Sequence, residues 1–233
     1  MPRNRAILFD LDNTLYPLNQ FARSGFRAVA RHLEHTRGIE RHRTLAALDH
    51  AAAGPDRGRE LQALAERFEL PARSVRDLVK VIRAHRPGLR LPRQSAETLR
   101  QLRASWRLGV VTNGLPSVQA RKVEALGVAA FVDVVIYACE HGTGAGKPEP
   151  APFLAALARL GVEPARAVFV GDDERCDMEG AAGVGMHTVW YAVDDPRSHS
   201  PHASAVVGSL LDVPRTAEAL VVAGAGRGGR HVA

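Results

Sequence analysis

Two aspartates, Asp10 and Asp12, stand one residue apart in the stretch FDLDNTLYP, residues 9–17. They follow the short apolar run Ala6-Ile7-Leu8, which reads as a buried strand. Strand alternation carries both carboxylates to the same side, where like charges repel. Such a strand end either turns into solvent or receives a cation together with a negatively charged substrate. Three further polar clusters bear on that choice. They are Thr112-Asn113-Gly114, the loop Gly144-Ala145-Gly146-Lys147-Pro148, and Gly171-Asp172-Asp173 with Asp177 a turn later. Each alone has a plain structural explanation: a helix cap and turn, a solvated loop lysine, a strand-to-helix loop. Together they need elements that bring them to one place.

The pattern of the chain supplies those elements. After the strand at 5–10, residues 17 to 86 contain no strand-like run. Phe21, Gly25, Val29 and Leu33 recur at fours, joined by Phe26 and Ala30, which marks an amphipathic helix. Further helices are expected around 39–53, 57–69 and 72–85, punctuated by Pro55, Pro71 and Pro87. From Pro92 onward helices and short apolar strands alternate. Helices are expected at 93–104, 116–126, 150–160, 175–183 and 214–222, and strands at 107–112, 132–137, 167–171, 187–191 and 204–207. That alternation predicts an α/β fold, a doubly wound parallel sheet covered on both faces. The core is expected to comprise 1–15 and 88–222, interrupted by an all-helical insertion at 16–87 and followed by a disordered tail at 223–233. In such a sheet ligands bind beyond the carboxyl ends of the strands, and all four polar clusters fall at those ends.

Composition narrows the class. At 233 residues with 45% apolar content, the chain can bury one good core or a core with a small accessory domain. No apolar run has the length of a membrane span, and the N-terminus lacks the pattern of a signal peptide. Cys139 and Cys176 lie far apart, without a CxxC or a histidine cluster, so neither a disulfide framework nor a zinc site is expected. A cytoplasmic protein is the default. The formal charge of +6 comes from arginines scattered along the chain, with no basic block interleaved with aromatics. Nucleic acid is therefore not the expected partner. The stretch HGTGAGKP (141–148) is not a P-loop, because the GxxxxGK[ST] spacing fails and Pro148 follows the lysine.

The succession Asp10-x-Asp12-x-Thr14, Thr112-Asn113, Lys147-Pro148 and Gly171-Asp172-Asp173-x3-Asp177 resembles the four motifs of the haloacid dehalogenase superfamily. The resemblance covers nearly the whole core, and that family places a helical cap between its first and second motifs, where residues 16–87 lie here. It implies a Rossmann-like core and a Mg²⁺-dependent phosphatase. Asp10 would be the nucleophile, becoming an aspartyl-phosphate. Asp12 would protonate the leaving oxygen and then deprotonate the hydrolytic water. Asp10, Asp172 and the Asp12 backbone carbonyl resemble the Mg²⁺ ligand set. The Thr112 hydroxyl, Lys147 and the backbone N–H groups of Leu11 and Asn113 would hold the phosphoryl oxygens. Asp177 would support the metal's waters or Lys147, Asp173 would lie beside them, and Thr14 would brace the loop.

The same resemblance sorts the reactions. Its dehalogenases lack an acid at the position of Asp12 and the carboxylates of the metal site. Its phosphonatases use a cap lysine, and the insertion's single lysine, Lys80, lies near the far end. Hydrolysis of a small phosphorylated metabolite, a nucleoside monophosphate or a sugar phosphate, is the expected activity, by a monomer or homodimer. A phosphomutase, a dehalogenase and a non-catalytic relative are the alternatives. TNG with Gln119 and Lys122 nearby resembles the nucleotidase and sugar-phosphate phosphatase branches. Asn19, Gln20 and Arg23 in the insertion are the candidate specificity residues. Arg23, Arg27 and Arg31 also form an i, i+4, i+8 stripe that reads first as a solvated helix face.

Overall fold

In the computed structural model, the residues described are 3–71, 73–193 and 199–228, with side chains to 223. The strand expected at 5–10 forms as β1, Ala6–Phe9, with all four residues buried. A strand that is apolar on both faces belongs in the middle of a covered sheet. β1 indeed lies between β2 (Arg107–Thr112) and β4 (Ala167–Gly171). With β3 (Val134–Tyr137), β5 (His187–Tyr191) and β6 (Ala205–Val207), the described residues form one parallel sheet in the order β3-β2-β1-β4-β5-β6. Phe9 is level with Val110 on one side and Val170 on the other. The strand order reverses at β1, and this switch point is where a doubly wound sheet opens a crevice for ligands.

Helix α5 (Arg93–Arg103) leads into β2, and α6 (Pro116–Leu126), α7 (Pro150–Leu160) and α9 (Val213–Gly228) come after β2, β3 and β6. Proline at the start of α6 and α7, and left-handed Gly127 and Gly161 after their last turns, set their limits. One face of the sheet packs Leu8, Val111, Ile136 and Phe169 with Phe153 and Leu157 of α7 and with Met178. Phe153 and Phe169 meet edge-on, their centroids 5.1 Å apart.

Residues 175–183 depart from the expected single α-helix. Glu174–Glu179 is a π-helix, continued by the short α8, Gly180–Gly183. The wider turn shows in the Met178 N–H, which reaches the Asp173 carbonyl at 3.3 Å. Such turns carry an extra residue and re-aim the side chains they hold.

The helices between the first two strands form a second compact unit, Leu18–Leu89, distinct from Met1–Pro17 with Arg90–Ala233. It contains α1 (Asn19–Arg37), α2 (Arg41–Ala53), α3 (Glu60–Arg67) and α4 (Ser74–Ala84). Phe26, Val29, Leu33, Ala47, Leu48, Leu64 and Leu78 make its core. The expected limits, 16 and 87, move by two residues at each end for a local reason. Tyr16 is buried and bonded to Asp12. Gly88 donates its N–H to Ser24 Oγ at 2.9 Å, which keeps Gly88 with the helices. The tail expected to be disordered from 223 is also corrected in part, since α9 continues to Gly228. Ala217, Ala219, Ala223 and Ala225 favour the helix enough to carry it through two glycines. The rest of that tail lies outside the described residues.

Candidate active site

The carboxyl ends of β1, β2 and β4 bring three of the four sequence clusters to one edge, and the loop before α7 adds Lys147. Asp10 follows β1 and extends its ladder, donating its N–H to the Val170 carbonyl at 2.9 Å. Its Oδ1 accepts from Lys147 Nζ at 2.6 Å, and the same ammonium reaches Asp177 Oδ1 at 2.6 Å. All three side chains are buried or nearly so. Lys147 also lies 5.2 Å from the centroid of the Phe169 ring.

One ammonium between two carboxylates leaves negative charge over, and Asp172 adds more. Asp10, Asp172 and Asp177 each offer a carboxylate oxygen within 4.8 Å of the others. Burial pushes the Asp10 carboxyl up to about 8 against the pull of Lys147, and Asp177 adds to the rise. Burial and then the charge of Asp177 raise Asp172 to about 6. Burial opposes the charge on Lys147, but Asp10 and Asp177 outweigh it and hold the lysine above its ordinary value. Hard carboxylate oxygens with surplus negative charge suit Mg²⁺, which takes a few carboxylates and keeps waters. The residues present fit that ion. Thr14 Oγ1, buried, donates to Asp172 Oδ1 at 3.3 Å and braces it.

Local geometry explains how each group is held. Asp177 folds over the end of β4, and a Cβ on Gly171 would stand 2.2 Å from Asp177 Oδ2, so that position accepts only glycine. Asp173 works through two contacts. Its carboxylate accepts the Cys176 N–H at 2.6 Å, capping the π-helix, and its own N–H donates to Asp177 Oδ2 at 3.1 Å. Asn113 pairs with the Lys147 backbone, accepting its N–H at 2.8 Å and donating Nδ2 to its carbonyl at 2.9 Å. Gly146, at φ 81°, lies against that clasp, and a Cβ there would be 2.6 Å from Asn113 Oδ1. Leu11 is wholly buried between the two aspartates.

Asp12 is turned to other partners. Its Oδ1 accepts from the Tyr16 hydroxyl at 2.5 Å and from Lys122 Nζ at 2.8 Å. Its Oδ2 accepts from Lys122 Nζ at 2.7 Å and from Gln119 Nε2 at 3.0 Å. The same Gln119 nitrogen donates to Thr112 Oγ1 at 2.5 Å. Thr112 is fully buried at the end of β2.

Comparison with known proteins decides what this arrangement belongs to. Residues 4–185 match the family model of the haloacid dehalogenase-like hydrolases. The chain belongs to that family. It is 31% identical to a ribulose-1,5-bisphosphate 5-phosphatase of Halopiger xanaduensis over 212 residues, 84% of this chain and 86% of that protein. It is 32% identical over 204 residues to a glyceraldehyde 3-phosphate phosphatase of Methanopyrus kandleri, covering 79% and 82% of the two chains. A solved haloacid dehalogenase-family phosphatase from Thermococcus onnurineus superposes with a TM-score of 0.60 at 27% identity, covering 91% of this chain and 97% of that one. This member of the family is a phosphatase.

Of the site residues expected from sequence, Asp10, Asp12, Thr112, Asn113, Lys147, Asp172, Asp173 and Asp177 gather at the sheet edge of the haloacid dehalogenase-like core. Asn19, Gln20 and Arg23 lie in the first turns of α1, in the helical unit, with Asn19 and Arg23 exposed and Gln20 half-buried. Three residues given no role in the chemistry complete the surroundings of Asp12, namely Tyr16, Gln119 and Lys122. For Gln119 and Lys122 the signal lies in α6. Gln119, Lys122, Val123 and Leu126 form one i, i+3, i+4, i+7 stripe, and all four are buried. Two polar residues on a buried stripe require polar partners.

Proposed function

We propose that this phosphatase hydrolyses a phosphomonoester of a small metabolite through an aspartyl-phosphate on Asp10, with Mg²⁺ as cofactor. The observation that carries the reading is the grouping of Asp10 with Lys147, Asp172 and Asp177 at the switch point, and of a second carboxylate, Asp12, one residue further on. Asp10, Asp172 and the Asp12 carbonyl would hold the cation, with Asp177 close enough to support it. When bound, Mg²⁺ would neutralise charge on the phosphoryl oxygens and keep Asp10 ionised.

The protein's own groups do the rest. The phosphoryl group sits between Thr112 and Lys147, the hydroxyl donating to one oxygen and the ammonium to another, with the N–H groups of Leu11 and Asn113 completing the cradle. Asp10 Oδ attacks phosphorus while the ester P–O bond breaks and its electron pair moves to the leaving oxygen. Asp12 gives that oxygen a proton. Water then attacks phosphorus and passes its proton to Asp12. The Asp10–phosphorus bond breaks, and phosphate and the starting enzyme are restored.

The helical unit Leu18–Leu89 would act as a cap, with Asn19, Gln20 and Arg23 reading the leaving group. Two of the relatives described above are named for short sugar phosphates, so this class precedes nucleoside monophosphates in the expected substrate range. The test is phosphate release from a panel of sugar phosphates, nucleoside monophosphates and an aryl phosphate, with Mg²⁺ and with excess chelator. Turnover that needs Mg²⁺ supports the reading, and full activity in chelator contradicts it.

A further inference from the structure

We infer that Lys122 and Gln119 are positioning residues, holding the Asp12 carboxyl group at the leaving-group oxygen. This rests on the phosphatase reading above. Lys122 is buried, its side chain 6% exposed, and its ammonium spans both oxygens of Asp12 at 2.8 and 2.7 Å. Burying an ammonium in this way is a poor route to stability, since a well-packed apolar side chain is usually as stable or more so. The position shares its helical stripe with Val123 and Leu126, where an apolar residue would serve packing. What the lysine supplies instead is a fixed orientation of the carboxylate.

Gln119 extends the device. One amide nitrogen donates to Asp12 Oδ2 and to Thr112 Oγ1, tying the acid to the hydroxyl that holds the phosphoryl group. Because Thr112 accepts that bond, its own hydrogen stays available to a phosphoryl oxygen. A carboxylate has about four acceptor positions, and Tyr16, Gln119 and the two bonds from Lys122 fill those of Asp12. When Asp12 carries its proton, one bond must yield. Lys122 can release one oxygen and keep the other, so the carboxyl group stays aimed throughout. The proton then moves from Asp12 to the leaving oxygen as the ester P–O bond breaks, and returns from the attacking water. Lys122 and Gln119 neither gain nor lose one.

The experiment compares kcat/KM for an alkyl phosphate and for 4-nitrophenyl phosphate in wild type and Lys122→Met. The alkoxide leaves poorly without a proton, whereas nitrophenolate leaves without help, so misaiming Asp12 penalises the alkyl ester selectively. The expected result is a loss for the alkyl ester at least about tenfold greater than for the aryl ester, within the ~10²–10⁴-fold that a general acid supplies. Equal losses for both esters in a variant with the wild-type circular dichroism spectrum overturn the inference. If Lys122→Met does not fold, Gln119→Leu is read by the same ratio. It should shift the ratio in the same direction and raise KM for both esters through Thr112, and an unchanged ratio again overturns the inference. A wild-type protein that hydrolyses neither ester overturns the phosphatase reading itself, a different result from an active variant with an unaltered ratio.

Discussion

The side chain of Asn113 pairs with the main chain of Lys147 as a strand would, taking its N–H at 2.8 Å and giving Nδ2 to its carbonyl at 2.9 Å. A residue beyond β2 thereby sets the position of a lysine in the loop before α7. Asn113→Ala removes both bonds and leaves Asp10, Asp177 and Lys147 chemically intact. Loss of such a supporting contact costs about 10–100-fold in activity. The expected outcome is a fall of that size in kcat/KM for every phosphate ester tested, since Lys147 touches the shared phosphoryl group. A fall restricted to one leaving group would contradict it.

Buried Asp10 makes a prediction about stability in the absence of cation. Its folded-state value is raised to about 8 from 3.8, so between these limits the folded protein binds a proton that the unfolded chain releases. Stability from this group is therefore present at low pH and lost as pH rises towards 8. Asp10→Asn carries no such charge. The melting temperature of Asp10→Asn relative to wild type, measured in chelator, should rise between pH 5 and pH 8. A difference that falls over this range would show that Lys147 outweighs burial. Mg²⁺ should raise the wild-type melting temperature most at the alkaline end, where protons no longer compete for the carboxylates.

Calcium offers a test of the cation's role. It accepts more oxygen ligands and looser geometry than magnesium. It should bind among Asp10, Asp172 and Asp177 yet support little turnover, because attack on phosphorus tolerates little misalignment. Added to a Mg²⁺-driven reaction, Ca²⁺ should inhibit competitively with Mg²⁺. Equal rates with the two ions would remove the geometric argument.

The helical unit should govern which ester is preferred. The core residues contact the phosphoryl group and the ester oxygen that every substrate shares, so substitutions at Asn19, Gln20 or Arg23 should alter relative kcat/KM across sugar phosphates more than they alter hydrolysis of a small aryl phosphate. An unchanged ranking with all three substituted would place the specificity surface elsewhere.

Much of this was legible in the sequence because strand period and loop chemistry are local. The run ending at Asp10, the Thr112-Asn113-Gly114 turn and Gly171-Asp172-Asp173 each mark a strand end on their own residues, and one sheet edge follows from the βα alternation. The partners of Asp12 were harder to see. Gln119 and Lys122, legible beside TNG as a branch resemblance, reach it from α6 across more than a hundred residues of sequence, and their place on an otherwise apolar stripe only hints at that contact. The π-helix was not legible either, since a single extra residue in a turn leaves no hydrophobic period of its own. The helix beyond residue 222 was obscured by glycines at 224 and 226, whose cost the neighbouring alanines offset.

The central claim is that Asp10 becomes phosphorylated, and it can be read directly. Wild-type protein with Mg²⁺ and an active phosphate ester is quenched in acid during the first turnover, digested, and its peptides weighed. The account predicts a transient phosphoryl group on the peptide bearing Asp10, lost during chase with water and absent from Asp10→Asn, whose turnover should fall by at least about 10³-fold. A phosphoryl group on another residue, or an Asp10→Asn protein that still turns over at the wild-type rate, would contradict it.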